Sequence, residues 1–183
     1  MTALQSSRSS SSSNQNRYDG PSWQRAALYL GIALVAQVTF LHFFTVRGAS
    51  VSLVLIAVIW FSILTDIRRA AIFGFAAGFL EDMLSLGTGG AWTISTTITA
   101  VLAGTLSRAF FADSIPLVTG IVVVSTLVRQ LIFWTVMKAQ GFPPGLGTLH
   151  FHQALWQGTL NAAFVIAAMV IYRHREPLEV QAA

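Results

Sequence analysis

The sequence predicts an all-α integral membrane protein with about six transmembrane helices in one bundle and both termini in the cytoplasm. Three observations support this prediction. Hydrophobic residues make up 54% of the 183 residues and charged residues only 10%, whereas about a quarter of a soluble domain is charged. Apolar runs long enough to approach the thickness of a bilayer alternate with short polar connections. Arginine and lysine residues concentrate on every second connection.

The apolar runs place six spans at about 26–46, 50–65, 70–86, 91–107, 115–137 and 154–172. The first span has about 21 residues and reaches about 30 Å, which matches the hydrocarbon core of a bilayer. The second to fourth spans are shorter. A polar connector rich in glycine and proline, residues 138–152, separates the last two spans.

The chain divides into three parts by composition. Residues 1–22 are predicted to form a disordered, serine-rich cytoplasmic tail, because a segment so poor in apolar side chains cannot offset its ordering entropy. Residues 23–175 form the predicted six-helix transmembrane domain. Residues 176–183 form a short cytoplasmic tail.

The distribution of arginine and lysine predicts the orientation. With a cytoplasmic N-terminus, Arg47 and Lys138 lie outside and most of the other basic residues lie inside. The inside set is Arg8, Arg17, Arg25, Arg68, Arg69, Arg108, Arg173 and Arg175. These residues are scattered between apolar runs and form no continuous basic stripe, so they predict membrane topology and no nucleic-acid partner.

Three charged side chains fall inside predicted spans, where such groups are costly. They are Glu81 and Asp82 in the third span and Arg129 in the fifth. Asp82 and Arg129 each lie about 20 Å from the cytoplasmic edge at about 1.5 Å per residue. We therefore expect Arg129 to face Asp82 or Glu81, because each would otherwise be a lone charge in hydrocarbon.

Uncharged polar residues reach a similar depth. Gln37 lies about 18 Å past the start of its span, and Asn161 lies in the outer half of the last span. Together with the charged residues they predict an intramembrane polar layer. This layer either holds the helices together or forms a site for a ligand or partner.

Small residues mark one face of the third span. Gly74, Gly78 and Asp82 recur every four residues and share that face, and the two glycines form a GxxxG pattern. The pattern predicts close helix packing, either inside the bundle or against a partner helix.

No sequence motif predicts catalysis, a cofactor or a metal. HExxH, GxSxG and P-loop patterns are all missing from the sequence. His150 and His152 lack a third ligand nearby, so they are interpreted as part of a solvated loop. The chain has no cysteine, which excludes disulfides and cysteine-ligated metal.

The stretch Gly74-Phe75-x-x-Gly78-x-x-x-Asp82, followed by Gly90, resembles the most recognisable part of the rod shape-determining protein MreD family. The chain length, the six predicted spans and a polar last span containing Asn161 are also similar to that family. The resemblance implies a non-enzymatic scaffold in the bacterial inner membrane. Such a scaffold would help the cell-elongation machinery organise lateral peptidoglycan synthesis and regulate cell shape.

The resemblance also implies partners. These are an MreC-like bitopic membrane protein, an MreB-like filament, and a RodA-like polymerase with its transpeptidase. The alternative function is the substrate-binding membrane subunit of an energy-coupling-factor-type vitamin transporter. In that case Asp82, Arg129 and Asn161 would line the pocket, and the connector 138–152 would form its lid.

Overall fold

The computed structural model describes residues 20–39, 45–85, 87–110, 114–141 and 147–180. Within these ranges the chain forms six α-helices and no β-strand. Residues 1–19 of the predicted serine-rich tail, and the last three residues of the predicted C-terminal tail, lie outside the described ranges. The helices are α1 (Trp23–Thr39), α2 (Leu53–Leu64), α3 (Ile67–Leu84), α4 (Ala91–Phe110), α5 (Ile115–Ala139) and α6 (Gly147–Val180).

The first predicted span ends too late. Within the described residues helix α1 covers Trp23–Thr39, and Val46 lies in a tight turn, bonded to Ala49 through both backbone groups at 2.8 and 3.0 Å. Arg47 and Gly48 in this turn have φ angles of +52° and +79°, in the left-handed region. The prediction was wrong at this end because apolar residues continue along the sequence up to Val46, and hydropathy does not register backbone geometry.

The predicted connector 138–152 is also wrong at both ends. Helix α5 continues to Ala139 and α6 begins at Gly147, so His150 and His152 belong to a helix. His150 packs against Trp134, with ring centroids 4.8 Å apart. The prolines of this region precede Gly147, and none interrupts the first turns of α6.

Helix α2 lies at the centre of the bundle and contacts all five other helices. On one side Val54, Val58 and Phe61 pack against α1, α3 and α4. On the other side Leu55 and Ile59 pack against α4, α5 and α6. Helix α2 has 12 residues, so its length is about 18 Å, less than the roughly 30 Å of the hydrocarbon core.

In the described part of the chain, two helices are by length and composition apolar enough to cross a membrane by themselves. They are α5 over Ile115–Ala139 and α6 over Leu149–Arg173. Helices α1 and α2 are shorter, at 17 and 12 residues. Helix α3 carries two arginines and two acids, and α4 carries many hydroxyl side chains, so both are less apolar.

Candidate functional site: a buried polar network

The guanidinium of Arg129 lies in the interior of the bundle, where it contacts three other elements. Its Nη2 donates to the Glu81 carboxylate, its Nε donates to Thr96 Oγ1 at 3.0 Å, and its Nη1 donates to Ser52 Oγ at 3.3 Å. Its Cζ also lies 4.4 Å from the centroid of the Trp92 ring. Arg129 is the largest fully buried side chain of the described residues, so its charge is compensated entirely by neighbours in the same chain.

The two adjacent acids of α3 point to different partners. Successive residues on a helix project about 100° apart. Glu81 accepts from Arg129 and from Thr96 Oγ1, the latter at 3.4 Å. Arg129 therefore pairs with Glu81, and Asp82 does not take part in this ion pair.

Asp82 instead caps the N-terminus of α4. Its Oδ1 accepts from Thr88 Oγ1 at 2.6 Å and from the backbone N–H of Trp92 at 3.1 Å. Its Oδ2 accepts from the backbone N–H of Thr93 at 2.7 Å and from the Thr93 hydroxyl. The first N–H groups of a helix have no intrahelical acceptor and carry a partial positive charge, which a carboxylate satisfies.

Side chains of two other helices satisfy the N-terminus of α2. The Ser52 N–H donates to Asn161 Oδ1 at 2.8 Å, and the Val54 N–H donates to Gln37 Oε1 at 3.1 Å. The Leu55 N–H donates to Ser52 Oγ at 3.4 Å. A helix can begin inside a bundle only where such partners replace water.

Two amide side chains of α6 extend the network. Asn161 is fully buried, and its Nδ2 donates to Thr126 Oγ1 on α5 at 3.1 Å. One turn earlier, Gln157 Nε2 donates to the carbonyl of Ser50 at 3.2 Å, and its Oε1 accepts from Gln130. The non-helical segment before α2 is thus bonded to the last helix of the chain.

Gly74 and Gly78 lie where α3 approaches α4 most closely. A Cβ added at Gly74 would lie 2.5 Å from the Cβ of Ala100, and one at Gly78 would lie 2.6 Å from the carbonyl oxygen of Trp92. Real Cβ atoms do not approach other atoms so closely. In this structure the small-residue face is covered by a helix of the same chain.

The network has almost no unsatisfied groups. Among the described residues, Ser125 Oγ is the buried side-chain polar atom that lacks a hydrogen-bond partner. These residues also include no group of three or more His, Cys, Asp or Glu that could hold a metal ion. The arrangement joins helices through polar contacts and offers no cluster suited to metal chemistry.

The structure brings together Glu81, Arg129, Gln37 and Asn161 through one residue that the sequence analysis missed, Ser52. Its hydroxyl accepts from Arg129 and donates to Gln37 Oε1 at 3.4 Å. Ser52 stands directly before an apolar run, which is the usual position of a helix N-cap. Thr126 and Gln130 were also missed.

The fold and the network define a class: an all-helical membrane protein whose buried polar residues hold its helices together. The family model of the rod shape-determining protein MreD matches residues 22–175, and the chain therefore belongs to the MreD family. This confirms the resemblance noted in the third span. The family consists of bacterial inner-membrane proteins of the MreBCD rod-shape system. Searches of curated proteins and of solved structures return no significant match.

Proposed function

We propose that this chain is a non-enzymatic scaffold of the cell-elongation machinery, which helps organise lateral peptidoglycan synthesis and so regulates cell shape. The observation that carries the proposal is the family match over residues 22–175, since this range includes α1 to α5 and most of α6. Membership of the family implies involvement in rod shape determination. The scaffold role extends that assignment.

The interior of the bundle supports a scaffold. The guanidinium of Arg129 and the side-chain amide of Asn161 are bonded to other side chains of the chain itself. A substrate-binding membrane subunit would need polar groups directed into a cavity. The comparisons give no support to the vitamin-transporter alternative.

We further propose that all six helices lie in the bilayer, with both termini in the cytoplasm. Helix α2 is too short to cross alone, but the five surrounding helices enclose it, and the segment before it finds hydrogen-bond partners on α6. The segment and α2 together would make one crossing. The arginine distribution then orients the bundle.

The absence of cysteine from the sequence makes this topology easy to test. Single variants Ser13→Cys, Lys138→Cys and Ala182→Cys would each introduce one thiol for labelling by a membrane-impermeant maleimide. We expect labelling of Lys138→Cys in intact spheroplasts, and labelling of the other two only after permeabilisation. Labelling of both termini in intact spheroplasts would contradict the orientation.

The proposed partners are an MreC-like bitopic protein, an MreB-like filament, and a RodA-like polymerase with its transpeptidase. Bitopic and polytopic partners would dock on the lipid-facing helix surfaces, and the filament would meet the cytoplasmic connections. The decisive experiment is depletion of the chain, with microscopy and affinity purification of a tagged copy. Rounded cells and co-purified wall-synthesis proteins are expected. Normal cell shape together with a vitamin-uptake defect would overturn the proposal.

A further inference from the structure

A cavity opens where the end of α2, the start of α3 and the end of α4 meet. Its volume is about 310 Å³, and it is lined by Asp66, Ile67, Arg68 and Arg108. Two arginines and one aspartate are among its four lining residues, so the side chains beside the cavity carry a net positive charge. Neither arginine takes part in the buried network around Arg129.

The guanidinium of Arg108 is held in place from inside the bundle. Its Nη2 donates to the carbonyl of Thr65 at 2.7 Å, and its Nη1 donates to the carbonyl of Gly104 at 3.3 Å. A Cβ at Gly104 would lie 3.3 Å from Arg108 Nη2, so the glycine leaves room for the side chain. A guanidinium has five N–H donors, and these two bonds leave others for a ligand.

The carboxylate of Asp66 is also placed to bind a ligand. Asp66 occupies the N-cap position of α3, and its side chain makes no capping hydrogen bond. Its backbone carbonyl accepts from the Ala70 N–H at 2.9 Å, which fixes the start of the helix. The backbone of Asp66 is therefore held in place, while its carboxylate oxygens make no capping hydrogen bond.

The surroundings of the cavity are typical of the membrane–water interface. The Cζ of Arg69 lies 5.7 Å from the ring centroid of Trp23, and Trp23 packs on Phe61 with centroids 5.6 Å apart. Tryptophan and arginine side chains gather at the level of the lipid headgroups. A ligand in this cavity would therefore lie where phospholipid phosphates are abundant.

We propose that this cavity binds the headgroup of an anionic phospholipid of the phosphatidylglycerol type. Arg68 and Arg108 donate to the phosphate oxygens, and Asp66 accepts from a headgroup hydroxyl. Guanidinium groups match the geometry of phosphate and form strong charge-assisted hydrogen bonds. Basic pockets between transmembrane helices bind anionic headgroups in this way. The site depends on three helix ends and not on the scaffold role.

The test is native mass spectrometry of the purified full chain in detergent. The probes are phosphatidylglycerol, phosphatidylethanolamine and inorganic phosphate. We expect preferential retention of phosphatidylglycerol. Arg68 is exposed, so Arg68→Gln should fold normally and weaken the binding of this lipid about tenfold, the effect of losing a charge-assisted hydrogen bond.

The matched control is Arg25→Gln, which removes the same charge from an exposed arginine at the same end of the bundle but outside the cavity. It should leave retention unchanged. An equal loss in both variants would overturn the site, since it would reflect diffuse surface charge. Equal retention of phosphatidylethanolamine, or displacement of the lipid by an equal concentration of inorganic phosphate, would also overturn it.

A further variant tests the role of the carboxylate. Asp66→Asn should reduce the preference for phosphatidylglycerol over phosphatidic acid, which lacks a headgroup alcohol. An unchanged ratio would overturn the assignment of the hydroxyl to Asp66. The thermal unfolding midpoint of each variant without added lipid serves as the folding control.

Discussion

The guanidinium of Arg129 on α5 is hydrogen-bonded to the carboxylate of Glu81 on α3, and both side chains are buried. Helices α3 and α5 each pack closely against α4, so the ion pair joins two helices across a third. A buried ion pair contributes little net stability compared with a well-packed apolar pair. It does, however, make each partner depend on the other.

Removing one member of this ion pair should lower the stability of the fold far more than removing both. Glu81→Ala should cost about 3–5 kcal/mol, because it leaves a buried guanidinium without a counter-charge. The double variant Glu81→Met with Arg129→Met should unfold closer to the original chain than either single methionine variant. The measurement is the thermal unfolding midpoint in detergent, read by fluorescence-detected size exclusion. Simple additivity of the two single effects would contradict the pairing.

The capping role of Asp82 makes a different prediction. Asp82→Ala should cost about 0.5–2 kcal/mol, the effect of losing a helix N-cap. Hydrogen exchange should accelerate at the amides of Trp92 and Thr93, which donate to Asp82. The exchanged variant Asp82→Arg with Arg129→Asp should not recover stability, since the two side chains share no contact. Recovery by that exchange would contradict the assignment of the ion pair to Glu81.

The sequence predicted the depth of Arg129 and of its partner, but not which of the two adjacent acids the partner is. Counting residues along the helices placed Glu81, Asp82 and Arg129 at a similar depth. Depth does not separate two adjacent acids, because one residue adds only about 1.5 Å along a helix. Their direction around the helix separates them, and that direction depends on how α3 packs against α4.

Long-range contacts explain the other differences. The backbone of the segment before α2 is satisfied by Gln157 and Asn161, which are 107 and 109 residues away from the groups that they bind. No local pattern encodes such a contact. The apolar runs did predict the existence of the six helices, and α5 most closely, because continuous hydrophobicity over a long segment depends little on tertiary context.

Because α3 and α4 approach closely, the cost in stability of a glycine-to-alanine substitution should differ strongly from one glycine to another. Gly74→Ala and Gly78→Ala should each destabilise the bundle by about 1–3 kcal/mol, the usual cost of overpacking. Gly31→Ala is the control, since no atom lies within 4 Å of a Cβ added there. Ala100→Gly should partly rescue Gly74→Ala, whose nearest obstacle is the Ala100 Cβ. Equal unfolding midpoints for Gly31→Ala and Gly74→Ala would contradict this packing.

The two amides that hold the N-terminus of α2 should differ in importance. Asn161→Ala leaves the buried Ser52 N–H without an acceptor, which should cost about 1–3 kcal/mol. Gln37→Ala should cost less, because Gln37 is half-buried and its bonds are longer, at 3.1 and 3.4 Å against 2.8 Å for Asn161 with Ser52. Thr159→Ala controls for substitution on α6, since this exposed hydroxyl bonds only to Leu155 within its own helix. The measurement is again the unfolding midpoint in detergent. If Thr159→Ala lowered this midpoint as much as Asn161→Ala does, Asn161 would not be the residue that holds α2 in place.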